Sequence, residues 1–345
     1  MKAALIHENG PPEALRYEDV EPLPVGPRDA MIKVRATSVN WFDVMGRSGE
    51  YSAFKNFPHI LGGDIAGEVV EVGSEVTNAK PGDRVLVYAT VACGQCEYCL
   101  LGQPNICQHY KYYGSGVWGG YAQYFTGRAA NLIQLDEGLN FGECASINVA
   151  FLTAWHMLQR ADIRAGEDIL IQAAASGVGA GAVQMAKLAG LRVIGTAGSD
   201  EKCQWARDLG ADHMINYKTQ DFRHEVRQLT GGRGVDVVVE HVGADVWEDS
   251  LRSLTRMGRL VTCGASSGMQ CTANVAHIFH KQLTVIGSNH GTMNELRTIV
   301  RLLKEGKLKA VIGARLPLSE AAESHRMLEA RNILGKIVLE PEHDD

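Results

Sequence analysis

The chain has 345 residues, enough for two domains that each bury a core of their own. Apolar residues make up 45% and charged residues 21%, as in ordinary globular proteins, and the formal net charge of -6 leaves no basic footprint for nucleic acid. No apolar run reaches the length of a membrane span, and the start Met1-Lys2-Ala3-Ala4-Leu5-Ile6 reads as a strand, not an export signal. A cytoplasmic protein without a membrane partner is expected.

The first third carries short apolar or alternating runs at 30–35, 65–72 and 84–88, with Pro81-Gly82-Asp83 as a turn, which is the texture of a β-rich domain. From about residue 151 strands alternate with helices. Strands are predicted at 168–172, 192–196, 213–217, 235–240, 259–263 and 283–287, and helices at 182–188, 202–209 and 222–229. Six strands with crossover helices predict an α/β domain with a doubly wound parallel sheet of the Rossmann type. A helix at 294–305 and a last strand at 336–339 follow, and the tail is expected to return to the first domain. The expected division is 1–150 with 289–345, and 151–288. The apolar run 283–287 is a natural edge for pairing two copies into a homodimer, or a dimer of dimers giving a homotetramer.

After the first Rossmann strand the chain reads Ala175-Ser176-Gly177-Val178-Gly179-Ala180-Gly181-Ala182. Glycines suit a tight turn that brings backbone N–H groups of a helix N-terminus against a pyrophosphate, so Ser176, Gly177, Val178 and Gly179 are expected to hold a dinucleotide. The acidic residue that would bind the ribose of NADH belongs at the end of the second strand. That point reads Thr196-Ala197-Gly198-Ser199, without a carboxylate, and Lys202 follows. Ser199 and Lys202 would accommodate a 2′-phosphate, which favours NADPH over NADH. Asp200 reads as a helix N-cap.

Of eight cysteines, four are scattered, as free thiols in a reducing compartment are. Cys93, Cys96, Cys99 and Cys107 instead give C-x2-C-x2-C-x7-C. Four thiolates complete a tetrahedral zinc and leave no position for substrate, so one structural zinc per chain is expected.

These residues together resemble the medium-chain dehydrogenase/reductase superfamily over essentially the whole chain. The cysteine lobe resembles that of the zinc alcohol dehydrogenases, and the resemblance implies a GroES-like catalytic domain beside the Rossmann domain. The stretches Val193-Ile194-Gly195-Thr196, Ile215-Asn216-Tyr217 and Gly264-Ala265-Ser266-Ser267-Gly268 are similar to quinone oxidoreductases. That similarity implies Lys202, Tyr217 and Arg331 around a 2′-phosphate, with Thr196, Gly264 and Ser266 also on the cofactor. His241, which follows Glu240 at a strand end, reads as cofactor-facing in preference to a base.

The places that match the catalytic-zinc ligands of alcohol dehydrogenases hold Asn40, Gly63 and, by a looser match, Val149. None is a zinc ligand of the usual kind. A substitute site would have to use Asp43, His59 and Asp64. Without a Lewis acid, ketone–alcohol interconversion loses its main electrostatic support. Hydride transfer to a conjugated double bond does not, because neutral donors can hold the oxygen that gains charge. The resemblance to quinone reductases implies Asn40, Tyr51 and Thr153 as those catalytic residues; Trp41, Phe54, Tyr113 and Trp118 are expected to supply pocket walls. The expected activity is NADPH-dependent reduction of a quinone, enone or enoyl thioester. The rivals are an alcohol dehydrogenase with a second zinc and a non-catalytic, crystallin-like NADPH-binding protein.

Overall fold

A computed structural model describes residues 1–50 and 56–343. It divides into two compact units, Met1–Val149 with Thr292–Asp345, and Ala150–Gly291.

In the second unit six parallel strands run in the spatial order His213–Asn216, Arg192–Ala197, Asp168–Ile171, Val235–Glu240, Leu254–Thr262, Thr284–Gly287. The inner strands are buried almost without a break, which is why they read as continuous apolar runs rather than alternating ones. Leu170, Ile194, Val238 and Leu260 join Phe222 and Val226 of the helix Phe222–Leu229 in one core cluster. The strand order reverses between Asp168–Ile171 and Val235–Glu240, neighbours that are far apart in the chain. A crevice outside the carboxyl ends of strands at such a reversal is where open α/β sheets bind ligands.

Of the boundaries that differ from expectation, two have a plain physical reason. The helix expected at 182–188 starts at Gly177, because Ser176 caps it and small residues let its first turn press on the sheet. The fifth strand is Leu254–Thr262 and not 259–263, since Leu254 already pairs with Val235.

The first unit is built on a sheet in which Asp29–Ser38 and Asp64–Val72 pair antiparallel, with Arg84–Val87 beyond them. Asp29–Ser38 alternates between inward and outward side chains, as a half-buried strand should. Ile32, Val34, Ile65, Val69, Val85 and Val87 form the core beneath it. The last strand, Lys336–Glu340, pairs antiparallel with the end of Asp29–Ser38, with Val338 opposite Ser38. This register brings the far end of the chain beside Asn40. Among the described residues, no helix is long and apolar enough to cross a membrane.

Candidate active site, cofactor turn and cysteine lobe

The glycine turn of the second unit is shaped by close backbone approach. A Cβ on Gly179 would lie 2.3 Å from the Ala173 carbonyl oxygen, and one on Gly181 would meet the Phe151 ring at 2.9 Å. Ser176 Oγ accepts from Gly179 N at 3.0 Å and caps the helix Gly177–Leu188. The remaining N–H groups of that first turn have no intrahelical acceptor by geometry, which suits an anion. Thr196 is buried, and its hydroxyl donates to Gln172 Oε1 (2.7 Å) while accepting from Ala173 N (3.1 Å). It therefore fastens the turn to the second strand.

At the end of that strand the cap is Ser199, whose Oγ accepts from Lys202 N at 3.2 Å. This corrects the reading of Asp200 as the cap. Asp200 sits one residue inside the helix, and its carboxylate accepts from Asn216 Nδ2 at 2.8 Å. Tyr217 is 43% exposed, and its phenol covers Gly198, where an added Cβ would lie 2.6 Å from the hydroxyl oxygen. Gly264 and Ser266 follow the strand Leu254–Thr262, in the loop whose Ser267 Oγ donates to Val242 O at 2.8 Å. Arg331 belongs to the first unit, in the left-handed region with φ 55°.

In the first unit Asn40 caps the helix Trp41–Ser48. Its Nδ2 donates to Asp64 Oδ2 at 2.8 Å, and its Oδ1 accepts from Lys336 Nζ at 2.5 Å. Asp64 is fully buried and saturated. Oδ1 accepts from Val149 N (2.9 Å), and Oδ2 accepts from Ser38 Oγ (2.5 Å) and Lys336 Nζ (3.2 Å). The Asp43 carboxylate accepts from Asn40 N (2.8 Å), Gly62 N (3.2 Å) and the Tyr121 hydroxyl (3.3 Å). Burial pushes its pKa up to about 7. Burial also holds His59 below the ordinary imidazole range. Gly63 lies under Tyr112, so a Cβ there would be 2.3 Å from the phenol oxygen.

Asp43, His59 and Asp64 thus differ from the substitute metal site weighed above: Asp64 neutralises an ammonium, and Asp43 holds backbone. Lys336, Ser38 and Tyr112 escaped the sequence reading. The one local signal was a lysine at the head of the apolar strand Lys336–Glu340.

Thr153 is buried in the helix Phe141–Arg160, within the second unit. Tyr51 and Phe54 lie outside the described residues. Tyr113 is corrected from pocket wall to core: it is buried, packs edge-on against Phe125, and its hydroxyl accepts from Arg128 N at 2.9 Å. Trp41 opens the helix Trp41–Ser48, and Trp118 Nε1 donates to Pro58 O at 3.1 Å.

The four sulfurs of Cys93, Cys96, Cys99 and Cys107 lie within 4.8 Å of one another. The pairs Cys96–Cys99 and Cys93–Cys107 are 3.5 Å apart, Cys96–Cys107 is 3.8 Å, and Cys93–Cys99 is 4.0 Å. Zinc–thiolate bonds of about 2.3 Å in a tetrahedron require sulfurs about 3.8 Å apart. Backbone N–H groups of Cys93 and His109 donate to Cys107 Sγ, both at 3.3 Å, and fix its position in the cluster. Among the described residues this is the one cluster of potential metal ligands.

Two family models match the chain. Residues 177–305 match the zinc-binding dehydrogenase model, and residues 26–137 match the alcohol dehydrogenase GroES-like domain. A quinone oxidoreductase of Pseudomonas aeruginosa is 35% identical over 342 residues, covering 96% of this chain and 97% of that protein. The chain belongs to the medium-chain dehydrogenase/reductases of the zinc alcohol dehydrogenase type. This dehydrogenase/reductase is also 31% identical to an NAD-dependent alcohol dehydrogenase of Sulfolobus acidocaldarius, over 98% of this chain and 99% of that protein. A solved structure titled as an NAD-dependent alcohol dehydrogenase superposes with a TM-score of 0.95 at 42% identity, covering 99% of both chains. The expected α/β fold, with a parallel sheet and a GroES-like domain, is thereby borne out, and the protein is an oxidoreductase.

Proposed function

We propose that this oxidoreductase uses NADPH to reduce an activated carbon–carbon double bond or a quinone, and that it does so without a catalytic zinc. The observation that carries the reading is the ligand place at Gly63, where Tyr112 fills the volume a side chain would need, next to an Asp64 already paired with Lys336. Zinc needs three protein ligands around an open position. Asn40, Gly63 and a committed Asp64 are a poor set for it.

The reduced nicotinamide, when bound, supplies the hydride. Asn40 has one amide hydrogen fixed on Asp64 and its carbonyl fixed on Lys336, so its orientation is set and its other N–H is left for a substrate oxygen. Thr153 and Tyr51 remain the further candidates for holding that oxygen or supplying the proton. Ser199, Lys202 and Tyr217 gather at the end of the second strand, whose last residues carry no carboxylate to repel a 2′-phosphate, and the neighbouring Asp200 carboxylate is turned to Asn216. Cys93, Cys96, Cys99 and Cys107 would hold one structural zinc that stiffens its lobe. The strand Thr284–Gly287 has one neighbour in the sheet, and Val285 upon it is 44% exposed; a second copy pairing along this edge would give a homodimer.

The test is consumption of NADPH and NADH with quinones, enones and enoyl thioesters, with metal content measured on the same sample. Turnover on one of these classes with about one zinc per chain is expected. Two zincs per chain with alcohol oxidation would establish the second reading, an alcohol dehydrogenase, which the 42% identical structure favours by its title.

A further inference from the structure

Ser176 and His241 leave neighbouring strands of the second unit at the point where the strand order reverses, one after Asp168–Ile171 and one after Val235–Glu240. They meet there: His241 Nε2 lies 3.1 Å from Ser176 Oγ. The other ring nitrogen, Nδ1, is sealed from solvent and has no hydrogen-bond partner among the described residues. Burial holds the imidazole well below its ordinary pKa, at about 4, so the ring is neutral near pH 7 and carries one N–H.

Placing that proton on Nδ1 would bury a donor with nothing to receive it. Placing it on Nε2 leaves only a bare lone pair on Nδ1, the milder defect, and makes Nε2 the donor to Ser176. Ser176 Oγ already accepts from Gly179 N at 3.0 Å. With a second donor from His241 both its lone pairs are filled, and its own hydrogen is left for an acceptor outside this set. The hydroxyl so oriented stands at the N-terminus of the twelve-residue helix Gly177–Leu188, where backbone N–H groups already favour an anion.

We propose that His241 is a positioning residue for cofactor binding: it donates to Ser176 and thereby turns the Ser176 hydroxyl into a hydrogen-bond donor for the pyrophosphate of the nicotinamide nucleotide. The inference rests on the reading of this glycine turn as the cofactor site. His241 does no chemistry at the reacting carbon, and its effect falls on nucleotide affinity. A glutamine can imitate the Nε2–H with its terminal amide, whereas phenylalanine fills the space without a donor.

The experiment measures NADPH and NADP+ dissociation constants by titration of the full chain, for the wild type, Ser176→Ala, His241→Phe, His241→Gln and the Ser176→Ala/His241→Phe double variant. Ser176→Ala and His241→Phe should each weaken binding about tenfold, the loss of one hydrogen bond to a charged group. The double variant should be no weaker than either single one, and His241→Gln should recover most of the affinity. In parallel, two-bond proton–nitrogen NMR on histidine-labelled, nucleotide-free protein should show the His241 signal, identified by its absence in His241→Gln, as the Nε2–H tautomer. An Nδ1–H tautomer overturns the inference, as does a His241→Phe variant that binds as tightly as the wild type. A wild-type chain that binds neither nucleotide overturns the cofactor reading of the turn and the inference with it.

Discussion

The ammonium of Lys336 stands 3.2 Å from the carboxylate of Asp64, and the two side chains are 4% and 0% exposed. The same ammonium donates to Val39 O at 2.8 Å and to Asn40 Oδ1, so its hydrogens are matched as well as its charge. Burying two charges is tolerable under those conditions, and removing one partner strands the other. Lys336→Met should therefore cost about 3–5 kcal/mol of stability. Adding Asp64→Asn to it should restore a large part, because the stranded charge is gone. Urea unfolding of the two variants checks this, and a Lys336→Met chain as stable as the wild type would refute it.

Tyr121 stands between Asp43 and His325, its hydroxyl 3.3 Å from each. The two buried groups make opposite contributions to the pH dependence of stability. Folded Asp43 keeps its proton up to about pH 7, whereas the ordinary value is 3.8. In that window the folded chain binds more protons, and this contribution falls as pH rises. Folded His325 stays neutral down to about pH 3, whereas the ordinary value is 6.5. Its contribution falls as pH falls from 6.5, because the unfolded chain takes up the proton. Between about pH 4 and 6.5 the two oppose each other. His325→Asn should tilt the stability profile toward acid, and Asp43→Asn should tilt it toward neutral, each by about 1.4 kcal/mol per pH unit relative to the wild type. Unfolding midpoints at pH 4.5 and 6.5 read the tilt; profiles parallel to the wild type would dismiss it.

Gly63 cannot take a side chain while Tyr112 keeps its place, since a Cβ would stand 2.3 Å from the phenol oxygen and 2.4 Å from Cε1. Gly63→Ala is expected to destabilise by about 1–3 kcal/mol, the usual cost of overpacking a close-packed site. Gly63→His alone should leave the metal content at about one zinc per chain. A second bound zinc in that variant would mean that Tyr112 yields readily and that the volume at residue 63 does not exclude a metal ligand.

Lys202 lies in the first turn of the helix capped by Ser199, and the Asp200 carboxylate in the same turn accepts from Asn216. Lys202→Ala should weaken NADPH about tenfold, one charge-assisted contact, and leave NADH within about twofold. Equal losses for the two nucleotides would point away from a 2′-phosphate contact.

Much of this molecule was readable from local pattern. The strand at 235–240 and the helix at 222–229 occur as Val235–Glu240 and Phe222–Leu229, because apolar runs and the Asp221 cap act over a few residues. The cysteine spacing and the glycine turn are local in the same sense. Where two neighbours could play one part, local pattern does not choose between them. Ser199 and Asp200 are both good caps, and the distant Asn216 takes the Asp200 carboxylate.

By itself, the order of residues determined the fold class, the nucleotide-type turn and the four-thiolate lobe, since each depends on periods and spacings that the chain carries within a short stretch. Only the tertiary structure decided what surrounds Asn40: Lys336 meets Asp64 from 272 positions away, and Tyr112 covers Gly63. The physical reason is that burial of a charge or the filling of a volume depends on which remote segment the sheet brings alongside, and no periodicity encodes that.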